Sequence, residues 1–161
     1  MDMSYLKDMP IAVLGGGAVG KTMAADCALA GKEVRIWDQP AFAKRNFVNI
    51  EKTGITLSGN QFSYFGYNRK GTAKVALATD DMAKAVKGAG IIIVATVALA
   101  HENLFRELIP LLEDGQVIHI LPDNCGTFIF RKLMRELNCT KKVIVGAWYT
   151  APYGIRVVKR G

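Results

Sequence analysis

The sequence predicts an α/β fold in which helices cover both faces of a doubly wound, mostly parallel sheet. Short, wholly apolar segments alternate along the chain with segments of helical period, and strands without polar alternation are buried on both faces. The first apolar segment leads into a glycine-rich loop that precedes a helix, which is how the first crossover of such a sheet begins. With 161 residues, of which 50% are hydrophobic, the chain has the length of about one domain and enough apolar surface for a core.

The first crossover is predicted from four consecutive features. Ile11–Leu14 forms a buried strand, a helix runs from about Ala18 to Ala30, Gly31 ends that helix, and Glu33–Trp37 forms the second strand. The later elements are predicted in the same way: a helix from Pro40 to Thr53, a strand Val75–Ala78, a short helix that Thr79 or Asp80 caps and that ends at Val86, a strand Ile91–Ala95, a helix Ala100–Ile109, a strand Gln116–Leu121, a helix Thr127–Leu137 and a strand Val143–Ala147. Ile91–Ala95 is the most apolar strand, so we expect it at the centre of the sheet.

A small inserted β-hairpin is predicted around residues 55–68. Two extended segments, 55–58 and 61–68, are separated by Gly59-Asn60, which is a typical hairpin turn. The aromatic side chains of the second segment alternate between its two faces. This alternation predicts packing on both sides rather than a platform for stacking bases.

Composition excludes several classes of function. The net charge is +7, but the basic residues lie in short, scattered clusters, so we expect no nucleic-acid partner; a positive surface also attracts a polyanionic cofactor. The three cysteines lack metal-ligand spacing, which predicts no metal site and a reducing, cytoplasmic location. The longest apolar stretch, 91–100, falls short of the roughly 20 residues of a membrane-spanning helix, so we expect no membrane association.

The loop Gly15-Gly16-Gly17-Ala18-Val19-Gly20-Lys21-Thr22 matches two phosphate-binding motifs at once. As Gly15-x-Gly17-x-x-Gly20 it is the dinucleotide fingerprint of the Rossmann fold. As Gly15-x4-Gly20-Lys21-Thr22 it is a P-loop, in which the lysine contacts the terminal phosphates and the threonine binds Mg²⁺. Both motifs place an anion at a helix N-terminus, so the loop alone leaves the nucleotide open.

Asp38 favours the dinucleotide. It ends the second strand, 18 positions after Gly20, close to the spacing of about 20 expected for the acid that binds the adenosine ribose. A carboxylate there repels a 2′-phosphate, so NAD is favoured, and NADP stays open as an alternative. The P-loop alternative has some support from Asp123-Asn124-Cys125-Gly126, which imitates the acidic motif after a Walker-B strand, but no guanine-reading Asn-Lys-x-Asp follows.

The chain resembles the N-terminal NAD(P)-binding domain of the octopine/nopaline (opine) dehydrogenase family, within the 6-phosphogluconate-dehydrogenase-like group. Seven segments carry the resemblance, which covers nearly the whole chain: Ile-Ala-Val-Leu-Gly-Gly-Gly-Ala-Val-Gly (11–20), Val-Arg-Ile-Trp-Asp (34–38), Thr-Asp-Asp-Met-Ala-Lys-Ala-Val-Lys-Gly-Ala-Gly-Ile-Ile-Ile-Val (79–94), Leu-Ala-His-Glu (99–102), Leu-Glu-Asp-Gly-Gln-Val-Ile (112–118), Phe-Arg-Lys-Leu (130–133) and Pro-Tyr-Gly-Ile-Arg (152–156). The order and spacing of these segments make the match specific.

The resemblance implies an oxidoreductase that joins the amino group of an amino acid to the carbonyl carbon of a 2-oxo acid with hydride from NAD(P)H. It also implies the cofactor-binding residues: the turn Gly15, Gly16, Gly17 and Gly20 under the pyrophosphate, the amides of Ala18 and Val19, Asp38 on the ribose, and Thr96 and Val97 beside the nicotinamide. The chain departs from the family near the substrate, because the family's Val-Pro, Asn-Pro-Gly and Glu-Thr/Ser appear here as Thr96-Val97, Leu121-Pro122-Asp123 and Ala147-Trp148.

The resemblance further implies a division of labour along a longer polypeptide. Residues 1–161 correspond to the dinucleotide-binding domain, and the family's substrate and catalytic domain follows it, so the catalytic residues are expected outside this chain. A homodimer is left open. The alternatives are a ketopantoate-reductase-like dehydrogenase, a P-loop nucleotide hydrolase and a non-catalytic dinucleotide-sensing module.

Two histidines and an aromatic cluster are further candidates for function. His119 lies within an apolar strand, which predicts a hydrogen-bonded core histidine. His101 opens a helix after the nicotinamide-side loop, where a helix-start hydrogen bond is favoured over a proton donor or ribose contact. Trp148, Tyr149 and Tyr153 predict an exposed apolar face at which a second domain docks.

Overall fold

Among the described residues, eight strands form a six-stranded parallel sheet and a separate two-stranded antiparallel pair. The computed structural model describes residues 2–58, 69–152 and 154–158. Its strands are β1 (Ile11–Leu14), β2 (Val34–Trp37), β3 (Ile55–Leu57), β4 (Gly71–Ala73), β5 (Leu77–Thr79), β6 (Ile91–Val94), β7 (Val117–Ile120) and β8 (Ile144–Ala147). The large sheet has the order β5-β2-β1-β6-β7-β8, and all of its neighbours are parallel.

In the part of the chain that the structure describes, six α-helices connect these strands. They are α1 (Ala18–Leu29), α2 (Pro40–Asn46), α3 (Ile50–Thr53), α4 (Met82–Val86), α5 (His101–Leu108) and α6 (Gly126–Glu136). None of the helices in the described residues has the length and apolar composition needed to cross a bilayer. The single helix predicted from Pro40 to Thr53 is wrong, because Asn49 adopts a left-handed conformation (φ 56°) and separates α2 from α3.

The strand order creates a crevice between β1 and β6. From β1 the chain moves outward to β2 and β5, and it then returns to the other side of β1 to form β6, β7 and β8. Such a reversal is the position at which doubly wound sheets bind ligands, beyond the carboxyl ends of the strands. The predicted central position of Ile91–Ala95 is therefore confirmed, since β6 pairs with both β1 and β7.

Two hydrophobic clusters pack on opposite faces of the sheet. Alternate residues of β1 face opposite clusters: Ala12 and Leu14 pack beneath α4, α5 and α6, whereas Ile11 and Val13 pack beneath α1, α3 and the β3–β4 pair. The strands are buried on both sides, which explains why they lack polar alternation. The predicted doubly wound α/β fold is confirmed.

Two local predictions need correction. The second segment of the predicted hairpin, 61–68, lies outside the described residues, and within those residues the antiparallel partner of β3 is β4, further along the chain. Neither Thr79 nor Asp80 caps α4. Instead the carboxylate of Asp81 accepts a hydrogen bond from the amide of Lys84 at 3.2 Å, because the extended backbone of Asp81 makes it the N-cap residue.

Candidate functional site

The glycine loop lies where β1 meets α1, at the edge of the crevice. Gly15 has a φ of +125°, and a side chain there would place its Cβ 2.5 Å from the carbonyl oxygen of Ala95. A Cβ at Gly20 would collide with the carbonyl oxygen of Gly15. These two glycines therefore allow the first turn of α1 to pack directly on the ends of β1 and β6.

The N-terminus of α1 is open toward solvent. Gly17 is the N-cap and carries no side chain that could cap the helix, and the first turn contains no acidic residue. In the described part of the chain, no acceptor is found for the amides of Ala18, Val19 and Gly20; the first intrahelical bond runs from Lys21 to Gly17. No heavy atom lies within 4 Å of a Cβ built on Gly17, so the space in front of these amides can hold an anion.

Asp38 lies beside this loop and is held in place before any ligand binds. One of its carboxylate oxygens accepts a hydrogen bond from the amide of Gln39 at 2.9 Å, and the other accepts one from the Asn46 side chain at 2.6 Å. The second oxygen is 2.6 Å from the position of a Cβ at Gly16. The carboxylate, only 7% exposed, therefore borders the glycine loop in a fixed orientation.

Asn46 is a site residue that sequence reasoning missed. It occupies the last turn of α2, and its contact with Asp38 depends on how α2 folds back toward the end of β2. The sequence signal that could have identified Asn46 is its position as a polar residue on the side of α2 that faces the end of β2. An open cleft of about 580 Å³ begins next to Asp38; it is lined by Gln39, Pro40, Ala41, Asn103, Arg106 and Glu107.

Thr96 and Val97 follow β6 on the other side of the loop. Thr96 lies against the glycine loop, with its methyl carbon 3.1 Å from a Cβ built on Gly15. Its hydroxyl is buried and has no hydrogen-bond partner among the described residues. Val97 points outward and is 71% exposed. The nine residues predicted to contact the cofactor therefore lie along one edge of the sheet, from β2 to β6.

The helix start distinguishes the two phosphate-binding motifs. α1 begins at Ala18, so Gly20 is already its third residue, and Lys21 and Thr22 lie beyond that in the helix. Thr22 is mostly buried in the second turn of α1. Asp123, the acid of the imitated Walker-B motif, accepts hydrogen bonds from the amide and hydroxyl of Thr127 at the start of α6. The loop therefore has the short turn of a dinucleotide fold.

The two histidines differ from each other in their contacts. Nδ1 of His119 accepts a hydrogen bond from the indole N–H of Trp148 at 3.1 Å, as the prediction of a bonded sheet histidine requires. His101 is fully buried, and neither of its ring nitrogens has a hydrogen-bond partner among the described residues. The prediction of a helix-start hydrogen bond is therefore wrong for His101. The less favoured alternatives, a proton donor or a ribose contact, stay hypotheses.

Two of the three aromatic residues of the predicted docking face, Trp148 and Tyr149, are exposed near the carboxyl edge of the sheet. Trp148 is 43% exposed and Tyr149 is 96% exposed, whereas Tyr153 lies outside the described residues. Leu99 and Phe128, which follow β6 and β7, are exposed as well. No group of three or more metal-ligating side chains occurs in the ranges that the structure describes.

Comparisons with known proteins agree with this geometry. The chain matches the family described as NAD-dependent glycerol-3-phosphate dehydrogenase N-terminus over residues 10–122. An opine dehydrogenase from Arthrobacter sp. (strain 1C) is 32% identical over 136 residues, which make up 84% of this chain and 35% of that protein. An octopine dehydrogenase solved with NADH and L-arginine is 25% identical, with a TM-score of 0.81, and the match covers 95% of this chain and 38% of that one.

A more distant structure shares the fold. A ketopantoate reductase from Ralstonia eutropha JMP134 is 21% identical, with a TM-score of 0.63 over 86% of this chain and 40% of that one. The chain thus spans between 35% and 38% of the length of the opine and octopine dehydrogenases that it matches. The family match over residues 10–122 covers most of the chain. The chain belongs to the NAD-dependent glycerol-3-phosphate dehydrogenase N-terminal family, and its resemblance to the NAD-binding domain of opine dehydrogenases is confirmed.

Proposed function

We propose that this chain is the NAD(H)-binding part of an opine-dehydrogenase-like oxidoreductase. The observation that carries the proposal is the pairing of an open helix N-terminus at Gly17 with a fixed carboxylate, Asp38, beside Gly16. An anion and a ribose are thereby recognised next to each other, which is the chemistry of an adenine dinucleotide. When bound, the nicotinamide supplies the hydride that reduces the imine formed from an amino acid and a 2-oxo acid.

Each residue of the candidate site has a defined role in this proposal. The amides of Ala18, Val19 and Gly20 bind the pyrophosphate, assisted by the positive end of the α1 dipole. Asp38 accepts hydrogen bonds from the adenosine ribose hydroxyls, and Asn46 keeps its carboxylate oriented. Thr96 and Val97 border the nicotinamide at the end of β6. The role of this chain is thus to bind and orient the cofactor.

NAD is the cofactor that the site favours over NADP. A carboxylate at Asp38 attracts the hydroxyls of a ribose but repels the dianion of a 2′-phosphate. Because Asp38 is buried and bonded to Gln39 and Asn46, it does not rotate away without breaking two hydrogen bonds. We therefore expect NADH to bind more tightly than NADPH.

The substrates and the second domain are inferred from the relatives. Octopine dehydrogenase has been solved with L-arginine and with pyruvate, which are an amino acid and a 2-oxo acid. We assign the same two classes of substrate to the whole protein, with catalytic residues in a C-terminal domain that contacts the surface around Trp148 and Tyr149. Three free cysteines in the described residues fit a reducing, cytoplasmic location. A homodimer stays a prediction.

A thermal-shift experiment tests the cofactor assignment. NADH, NADPH, Mg-ATP and Mg-GTP are each added to the 161-residue chain, and the midpoint of unfolding is measured. A ligand that binds only the folded state at 100 times its Kd adds about 2.7 kcal/mol of stability. We expect NADH to give the largest shift and the triphosphates to give little. If only a Mg-triphosphate stabilised the chain, the P-loop nucleotide hydrolase would become the favoured interpretation.

A further inference from the structure

His101 combines complete burial with an unusual lack of polar contacts. Its side chain is 0% exposed, and its ring stacks on Phe105 with 5.2 Å between the ring centroids. Phe105 in turn packs edge-on against Phe130 of α6, 5.1 Å away. Neither ring nitrogen of His101 has a hydrogen-bond partner among the described residues. A buried polar group without a partner is costly, so its presence calls for an explanation other than packing.

The buried hydroxyl of Thr96 is unpartnered in the same way. Thr96 and His101 are the two ends of one loop, which leaves β6 and enters α5, and both lie at the carboxyl edge of the sheet. The backbone of Thr96 and the carboxylate of Asp123 are near enough to act against the burial that lowers the pKa of His101. Two buried, unsatisfied polar groups therefore lie at the two ends of one short segment beside the glycine loop.

The ring also contacts α6, the helix that packs against α5. A Cβ built on Gly126, the first residue of α6, would lie 2.7 Å from Nδ1 of His101 and 3.2 Å from its Cε1. The imidazole thus occupies the space that glycine leaves at this helix start. It lies between the Thr96–Ala100 loop and α6, and its packing fixes the distance between them.

We infer that His101 is a positioning residue for the nicotinamide half of the cofactor site: its ring, held between Thr96 and Gly126, fixes the loop that carries Thr96 and Val97. The inference rests on the proposed function. The Thr96 backbone is near enough to the ring to act on the pKa of His101, and a hydrocarbon side chain of the same volume lacks this polar interaction. His101 itself touches neither substrate nor cofactor.

The test compares two ligands that differ only in the nicotinamide. NADH occupies the whole site, whereas ADP-ribose occupies all of it except the nicotinamide position. Dissociation constants for both are measured by calorimetry on the 161-residue chain and on three variants. His101→Leu removes both nitrogens and keeps apolar packing, His101→Gln keeps a donor and an acceptor, and Phe105→Leu weakens the same packing without removing a nitrogen.

We expect a selective effect on NADH. His101→Leu should weaken NADH binding about three- to tenfold, as one net hydrogen bond would, and leave ADP-ribose binding unchanged. His101→Gln should recover part of that loss. Phe105→Leu should lower the midpoint of unfolding but keep the wild-type ratio of the two dissociation constants. On the wild-type chain, NADH should shift the ring ¹⁵N resonances of His101 more than ADP-ribose does.

The possible failures are distinguishable. If His101→Leu keeps the wild-type ratio, or if Phe105→Leu changes the ratio as much, His101 is a packing residue and the inference is overturned. If His101→Leu does not fold, the ¹⁵N resonances decide, and equal shifts with both ligands overturn it. A wild-type chain that binds neither ligand overturns the proposed function together with the inference, whereas a wild-type chain that binds both leaves the proposed function standing.

Discussion

At Asp38, two hydrogen bonds orient the carboxylate without help from a ligand. The amide of Gln39 and the side chain of Asn46 occupy one oxygen each, so each oxygen keeps further lone pairs for the ribose hydroxyls. A group that is already oriented loses less entropy on binding. The sequence predicted the position of this acid from its spacing to Gly20, but Asn46 depends on the packing of α2, which no local pattern encodes.

Substituting Asp38 distinguishes the dinucleotide site from a P-loop. Asp38→Ala should weaken NADH binding about 10- to 100-fold, because hydrogen bonds to a charged acceptor contribute roughly 1.5–3 kcal/mol. Lys21→Ala is the matched variant and should change the NADH dissociation constant little, since Lys21 lies within α1 beyond the loop. Both constants are measured by the fluorescence of bound NADH. A larger effect of Lys21→Ala than of Asp38→Ala would contradict the assignment.

The two histidines make stability depend on pH below neutrality. Burial lowers the pKa of His101 and of His119 below the ordinary value of 6.5. The unfolded chain therefore takes up protons at a higher pH than the folded chain does. Stability is complete above about pH 6.5 and falls as the pH drops below it. Protonation of His119 also removes the acceptor for the Trp148 indole N–H.

Thermal unfolding between pH 7 and pH 5 measures this dependence. The midpoint should fall over that range in the wild-type chain and should fall less in a variant that carries both His101→Leu and His119→Leu. Carboxylates destabilise the folded state with acid in both proteins, so the difference between the two slopes isolates the histidines. Equal slopes would show that neither histidine is buried in its neutral form.

At the scale of elements, the sequence predicted what local chemistry determines. The β1–loop–α1–β2 unit follows from an apolar strand, a glycine turn and Gly31, which ends the helix with a φ of +82°. The break between α2 and α3 was not predictable from the apolar stripe, because Asn49 tolerates both helical and left-handed conformations. The pairing of β3 with β4 is a contact between segments distant in sequence, which periodicity does not specify.

Two glycines of the loop have different roles: Gly20 is required by the fold, whereas Gly17 leaves space for the ligand. Gly20→Ala should destabilise the chain by about 1–3 kcal/mol, because its Cβ collides with the Gly15 carbonyl and the helix must shift. Gly17→Ala meets no protein atom and should cost less than about 1 kcal/mol, yet its methyl group enters the space before the open amides. NADH binding should therefore weaken in Gly17→Ala while the urea midpoint stays near the wild-type value. Unchanged NADH binding in Gly17→Ala would contradict the assignment of the pyrophosphate to the space in front of these amides.

At the scale of the whole molecule, the strand order decides where chemistry can occur. The reversal between β1 and β6 brings the glycine loop, Asp38 and Thr96 to one edge, although 81 positions separate Gly15 from Thr96. Doubly wound topology was predictable from the alternation of strands and helices, and it placed these residues together before any contact was known. Substrate-side residues were less predictable, because the departures from the family at Thr96-Val97, Leu121-Pro122-Asp123 and Ala147-Trp148 lie where a second domain would contribute the remaining contacts.

In the proposed function, cofactor binding and catalysis belong to different parts of a longer protein. We propose that this chain orients the nicotinamide. Within the described residues, however, no exposed histidine is available at the crevice as a proton donor, since His101 is buried and His119 bonds to Trp148. We therefore expect the 161-residue chain to bind NADH but to give no oxidation of NADH above background with an amino acid and a 2-oxo acid. The longer polypeptide, assayed at 340 nm with L-arginine and pyruvate among other pairs, is the matched control and should oxidise NADH.

Robust opine formation by the 161-residue chain would show that the catalytic groups lie within it. NADH binding by both proteins without turnover in either would instead favour a dinucleotide-sensing module, because the site would then orient a cofactor that no second domain uses for hydride transfer.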